Sequence, residues 1–245
     1  MTILLEDEIF RDNDKAIVDE IITFFLAGSF TLKSTNSNML QYLSIYPDVK
    51  AKLLKEIKQT VLKEHLSGPN KSKPVDTYKA FTFESVEDLK YFIYCFYESL
   101  RMEPPTVTSG GIFSEDVQMP NGITIRKGDQ FVINMQHIQN DPEEWQSPEH
   151  YMPERFDPAS SLYIRPDGKK RHPLAFTPFI GGKRICLGKT FAEVVAKFVV
   201  PALLSRLDFE LVDEDVKTGK KPKIFLNLDI DDDPIIMMTV KRANL

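Results

Sequence analysis

Between Ala16 and Leu26 the chain reads Ala-Ile-Val-Asp-Glu-Ile-Ile-Thr-Phe-Phe-Leu, apolar on nearly every side once wound into a helix. Such a helix has no polar stripe to turn toward water, so it has to be surrounded by protein. It is expected to start near Lys15, pass a weak helical point at Ala27-Gly28 and continue through Leu40-Gln41-Tyr42-Leu43. The chain opens almost directly into this segment, which leads to the expectation of further protein upstream.

Helical spacing recurs downstream. Pro47 suits the first turn of a second helix, with Val49, Leu53, Ile57 and Val61 on one face and lysines on the other. Ser67-Gly68-Pro69-Asn70 and the Lys/Pro residues after it read as a loop. A third helix is expected from about Ser85, read as its N-cap, with Asp88 three residues on. Leu89, Phe92, Ile93, Phe96 and Leu100 share its apolar face, and Pro104-Pro105 ends it. Residues 122–125 and 130–134 read as short strands. A fourth helix begins near Lys189, with Phe191, Val194, Val195 and Phe198 on one stripe and Pro201 set to kink or shorten it. Residues 224–228 and 235–240 read as two closing strands.

Residues 139–180 differ from all of this. They contain eight prolines or glycines and almost no periodicity. An ordered stretch of that length without regular structure is uncommon and usually carries function.

Composition narrows the function. A net charge of −5 argues against nucleic acid, which demands a basic surface. Lys50, Lys52, Lys55 and Lys58 are interrupted by Glu56 and read as a solvated helix face. Two cysteines, Cys95 and Cys186, indicate a reducing, intracellular setting rather than a disulfide framework. The first residues turn acidic too soon for a signal peptide, and no apolar run approaches the roughly 18 residues of a membrane span.

Chemistry concentrates in Phe179-Ile180-Gly181-Gly182-Lys183-Arg184-Ile185-Cys186-Leu187-Gly188. A lone cysteine beside an apolar helix is ordinarily a small core residue, which is how Cys95 reads. The Gly188-Lys189-Thr190 ending suggests a phosphate loop, but that motif needs glycine where Lys183 stands, and only 55 residues follow Thr190.

The segment resembles the heme-binding loop of cytochromes P450, matching its Phe, Gly, Arg, Cys and Gly at the family's spacing. The resemblance makes Cys186 the thiolate ligand of a heme iron, ahead of a helix whose N-terminal dipole favours negative charge on sulfur. Gly182 and Gly188 would let the backbone approach a flat porphyrin, Arg184 would face a propionate, and Phe179 would shield the sulfur. Glu98-Ser99-Leu100-Arg101 resembles the family's K-helix motif, and Pro153-Glu154-Arg155-Phe156 its meander. Together they imply a buried structural cluster of Glu98, Arg101 and Arg155 that pins the loop carrying Cys186. Ala27-Gly28-Ser29-Phe30-Thr31-Leu32 aligns with the oxygen-facing bulge of the I helix, with Thr31 as the catalytic hydroxyl. Phe30 stands where the family has an acid; the alternative reason for Ala27-Gly28 is close helix packing. His137 falls two positions early for a propionate contact and reads as a surface or strand residue, Trp145 reads as packing, and residues 106–111 offer no base for the second propionate.

The resemblance runs in order through I, J, K and L helices, meander, heme-thiolate loop and terminal strands. It implies a mainly α fold with a small β portion, a partial cytochrome P450 fold. The chain would be the C-terminal portion of one such domain over residues 1–245, with the N-terminal half absent. The implied activity is heme-thiolate monooxygenation, in which the thiolate favours O–O cleavage. It would use O2, a reductase and a small apolar organic substrate; peroxide-driven or rearrangement chemistry, or a non-catalytic remnant, are the alternatives. Membrane contact, for instance at the endoplasmic reticulum, would come only through the missing N-terminal segment.

Overall fold

A computed structural model describes residues 10, 13–67, 76–212 and 238–243. In chain order it contains α1 (Asp14–Ile45), α2 (Pro47–Gln59), α3 (Lys63–Ser67), α4 (Thr77–Ala80), α5 (Phe83–Glu87) and α6 (Lys90–Met102). Then follow β1 (Thr108–Ile112), β2 (Val117–Gln118), β3 (Thr124–Ile125), β4 (Gln130–Asn134), α7 (Met135–Ile138), α8 (Lys189–Leu204), β5 (Leu207–Leu211) and β6 (Met238–Arg242). Short 3-10 turns occupy Pro153–Phe156, Ser161–Tyr163 and Gly182–Arg184. The fold is mainly helical, with three antiparallel two-stranded sheets among the described residues, β1–β4, β2–β3 and β5–β6.

The core forms where four helix faces meet. Met39, Tyr42 and Leu43 of α1 pack with Leu53 and Ile57 of α2, Phe92, Phe96 and Leu100 of α6, and Ala196, Val200 and Leu204 of α8. Burying each of the larger side chains contributes about 1.5–3 kcal/mol. Tyr42 stacks on Tyr151 at 4.5 Å, and Tyr151 donates a 2.7 Å hydrogen bond to the Cys95 carbonyl. Cys95 itself is fully buried.

Helix boundaries follow local chemistry in part. Asn13 caps α1 by accepting from the Ala16 amide, and Pro47 opens α2. Ser85 does not begin the long third helix. It lies inside α5, where Thr82 is the N-cap and the two side chains satisfy each other's backbone N–H. The long helix starts at Lys90, after Leu89, which offers no side-chain cap. Its first donors are met from another helix: the Glu56 carboxylate of α2 accepts from the amides of Tyr91 (2.7 Å) and Phe92 (2.9 Å). Pro201 is accommodated inside α8, which ends three residues later. The proposed strand at 224–228 lies outside the described residues; of 235–240 only the end, within β6, is described.

Among the described residues the apolar run in α1 is not surrounded. Ile17 is buried, but Val18, Ile22, Phe24, Phe25 and Leu26 are exposed, Phe25 to 71% and Leu26 to 61%. The other helices cover only the second half of α1, from Thr35 onward.

Candidate functional site

The loop between Phe179 and α8 is a tight reversal. The Cys186 amide donates to the Phe179 carbonyl (2.9 Å), closing a ring around the Gly182–Arg184 turn. Gly182 has φ +66°, in the left-handed region that side chains with a Cβ resist, although a Cβ there would meet nothing within 4 Å. Backbone conformation, rather than space, requires this glycine. Cys186 is exposed, and α8 starts three residues later with no side-chain cap, so its amide dipoles lie beside the sulfur. Arg184 is exposed and, among the described residues, makes no hydrogen bond or ion pair.

This loop faces the middle of α1 across a cavity of about 130 Å³. One wall is Thr31, Leu32 and Thr35; the opposite one is Phe179, Ile180, Cys186 and Ala192, with Leu100 and Met135 between them. The Thr31 hydroxyl donates to the Ala27 carbonyl at 2.7 Å, which leaves its lone pairs for an incoming donor. A Cβ at Gly28 would meet nothing within 4 Å, so close helix packing is not its purpose among the described residues.

Behind the loop lies a buried ionic cluster. Glu98, Arg101 and Arg155 are fully buried. Arg101 grips Glu98 with two hydrogen bonds (2.8 and 2.9 Å), and Arg155 reaches the same carboxylate at 3.1 Å. The remaining guanidinium donors go mostly to backbone carbonyls of the aperiodic stretch: Gln139, Pro148 and His150 from Arg101, which also reaches Asn140 Oδ1; Gln146, Ser147 and His150 from Arg155, which also reaches Met152 Sδ. Burial lowers Arg155 below the ordinary guanidinium value; Glu98 opposes that and Arg101 reinforces it. Two cations share one carboxylate, so the carbonyls carry the balance. Loss of Glu98 strands two buried cations, at a cost of about 3–5 kcal/mol, whereas loss of either arginine leaves an ion pair but strips the buried carbonyls of their donors. Among the described residues no hydrogen bond runs from these three side chains to residues 179–188.

Two residues without a sequence signal complete the support. Arg171 donates to the carbonyls of Glu144 (3.1 Å), Arg155 (3.0 Å) and Leu162, and stands 4.1 Å from the centre of the Trp145 ring. Burial, followed by repulsion from Arg155, lowers it to about 10. Trp145 is buried against Phe156 and Phe176. The second residue is Gln139, buried between α6 and the approach to Phe179. His137 is exposed on α7 and takes no part in the site.

Comparison with known proteins shows which family the chain belongs to. The family model for cytochrome P450 matches residues 4–230. The chain belongs to the cytochrome P450 family. It is 30% identical to cytochrome P450 4F6 of Rattus norvegicus over 87% of this chain and 36% of that protein. Cytochrome P450 4d2 of Drosophila melanogaster is 32% identical over 88% of this chain and 38% of its own. Leukotriene-B4 omega-hydroxylase 3 of Mus musculus is 30% identical over 91% and 39%. The chain thus spans under two fifths of the length of these P450 relatives.

P450 proteins are heme-thiolate, iron-binding oxidoreductases, and the residues present here fit a heme. An exposed sulfur at a helix N-terminus, a guanidinium two residues earlier that is unpaired among the described residues, and a mainly apolar cavity lined in part by α1 are all in place. Pro105 and Thr106, rather than a base, line the cavity at the end of α6. Among the described residues no helix is long and apolar enough to cross a membrane.

Proposed function

We propose that this chain is the C-terminal portion of a P450 monooxygenase in which Cys186 supplies the thiolate ligand to heme iron. The supporting observation is the cavity with Cys186 and Phe179 on one wall and Thr31 on the other. Heme bound there would supply oxygen activation and insertion of one oxygen atom into an apolar organic substrate, with electrons from a reductase.

The chain's own residues have separate tasks. Cys186 supplies its sulfur beside the amide dipoles of α8, in a loop shaped by Gly182 and closed by the hydrogen bond from its own amide to the Phe179 carbonyl, with Gly188 leading into the helix. Phe179 keeps water from the sulfur, and Arg184 binds a propionate. Thr31, its own proton held by the Ala27 carbonyl, keeps its lone pairs free to accept a hydrogen bond from water in the cavity. Glu98, Arg101 and Arg155 hold the surrounding backbone. The exposed apolar side of α1 is covered by the part of the relatives' length that this chain does not span. The mouse relative's name, a leukotriene-B4 omega-hydroxylase, fits an apolar chain as substrate.

Phe30 favours a second reading. A phenyl ring occupies the position next to Thr31 where the resemblance places a proton-donating acid, so oxidation driven by peroxide, which brings its own protons, is the competing chemistry. Product formation in the complete protein separates the two. Dependence on reductase and O2, with little turnover on peroxide alone, is expected. Equal turnover on peroxide without reductase would overturn the monooxygenase reading in favour of the second.

A further inference from the structure

Among the described residues no hydrogen bond runs directly from the buried ionic cluster to the Cys186 loop, yet the Gln139 side chain links the helix of that cluster to the approach to the loop. Gln139 is fully buried and uses both ends of its amide. Its nitrogen donates to the carbonyls of Leu100 (3.0 Å) and Arg101 (3.2 Å), the last turn of α6. Its oxygen accepts from the Thr177 amide at 3.1 Å. Its own backbone carbonyl accepts from Arg101 at 3.0 Å. From Thr177 the connection is short: the Ile180 amide donates to the Thr177 carbonyl (3.0 Å), and the Cys186 amide to that of Phe179 (2.9 Å).

We propose that Gln139 is a positioning residue that transmits the placement of α6 and its Glu98–Arg101 pair to the loop carrying Cys186. A primary amide suits this place because it offers donors and an acceptor without charge. The carbonyls at the end of a helix need donors, and the Thr177 amide needs an acceptor. A carboxylate would oppose the two carbonyls, and a hydrocarbon would leave three buried backbone groups short of a partner. The inference gives a route by which the cluster acts on the proposed heme ligand. It rests on that reading only for its consequence, because the hydrogen bonds exist whatever the loop binds.

Amide hydrogen exchange on the 245-residue chain tests it without heme, so its failure is distinguishable from failure of the Cys186 assignment. Gln139→Met is expected to speed exchange about tenfold in peptides spanning residues 175–188, while α2 and the first turns of α6 change little. Gln139→Glu removes the donors and keeps an acceptor for Thr177. It is expected to loosen the Leu100–Arg101 end of α6 first and the loop less than Gln139→Met does. Unchanged exchange over 175–188, or an equal rise across the whole chain, would overturn the proposal. Should Gln139→Met fail to fold, Gln139→Glu is judged by the same rule: loosening at the end of α6 and in the loop above α2 supports it, and uniform loosening refutes it.

Discussion

Single residues at the site act through geometry that leaves few substitutes. Gly182 has room for a side chain but sits at φ +66°. Gly182→Ala is therefore expected to cost about 1–2 kcal/mol, and Gly182→Asn less, because asparagine tolerates the left-handed region. Urea denaturation of both variants checks this, and equal costs would point to steric crowding instead. Arg171 depends on the planar fork of its guanidinium, which meets three carbonyls and the Trp145 ring at once. Arg171→Lys keeps a charge but not the fork, and a loss of about 1–3 kcal/mol is expected in the same assay. The sequence announced Cys186, Glu98 and Arg101 because their spacing is local. Arg171 and Gln139 left no mark in it, since their hydrogen-bond partners are backbone groups 9–39 residues away, which almost any residue can supply.

At the scale of elements, α2 acts as a jig. Glu56 caps α6, and Lys52, one turn earlier, pairs with Glu154 (2.6 Å) of the Pro153–Phe156 turn, where Tyr91 also donates. Periodicity sufficed to find α1, α2, α6 and α8, whereas the start of α6 was misread at Ser85 because its cap comes from another helix. Glu56→Gln is expected to cost about 1 kcal/mol through that cap, seen as faster exchange at the start of α6. Partial burial of Glu154 pushes its carboxyl up, but Lys52, backbone N–H and Tyr91 outweigh this and hold it below the ordinary value near 4.5. A depressed carboxyl adds stability that is fully present above that value and lost as pH falls toward its folded-state value. The urea midpoint is thus expected to drop below pH 4.5, and Glu154→Gln to flatten that slope. An unchanged slope would remove Glu154 from the account.

For the whole molecule, the apolar run of α1 was legible as a helix that needs cover, and among the described residues most of that run is exposed. Phe25, Leu26 and Ile22 face outward on the same half of α1 that approaches Thr31. The 245-residue chain alone is expected to bind an apolar dye and to hold heme weakly, and a stable low-spin heme spectrum from it would contradict this. Assignment of the iron ligand is tested most directly in the complete, heme-loaded protein by the absorption of its reduced carbon monoxide complex. The Soret band is expected at the position characteristic of thiolate ligation, and Cys186→His is expected to shift it to that of an imidazole-ligated heme. A band that stays in place after Cys186→His would show that another group holds the iron.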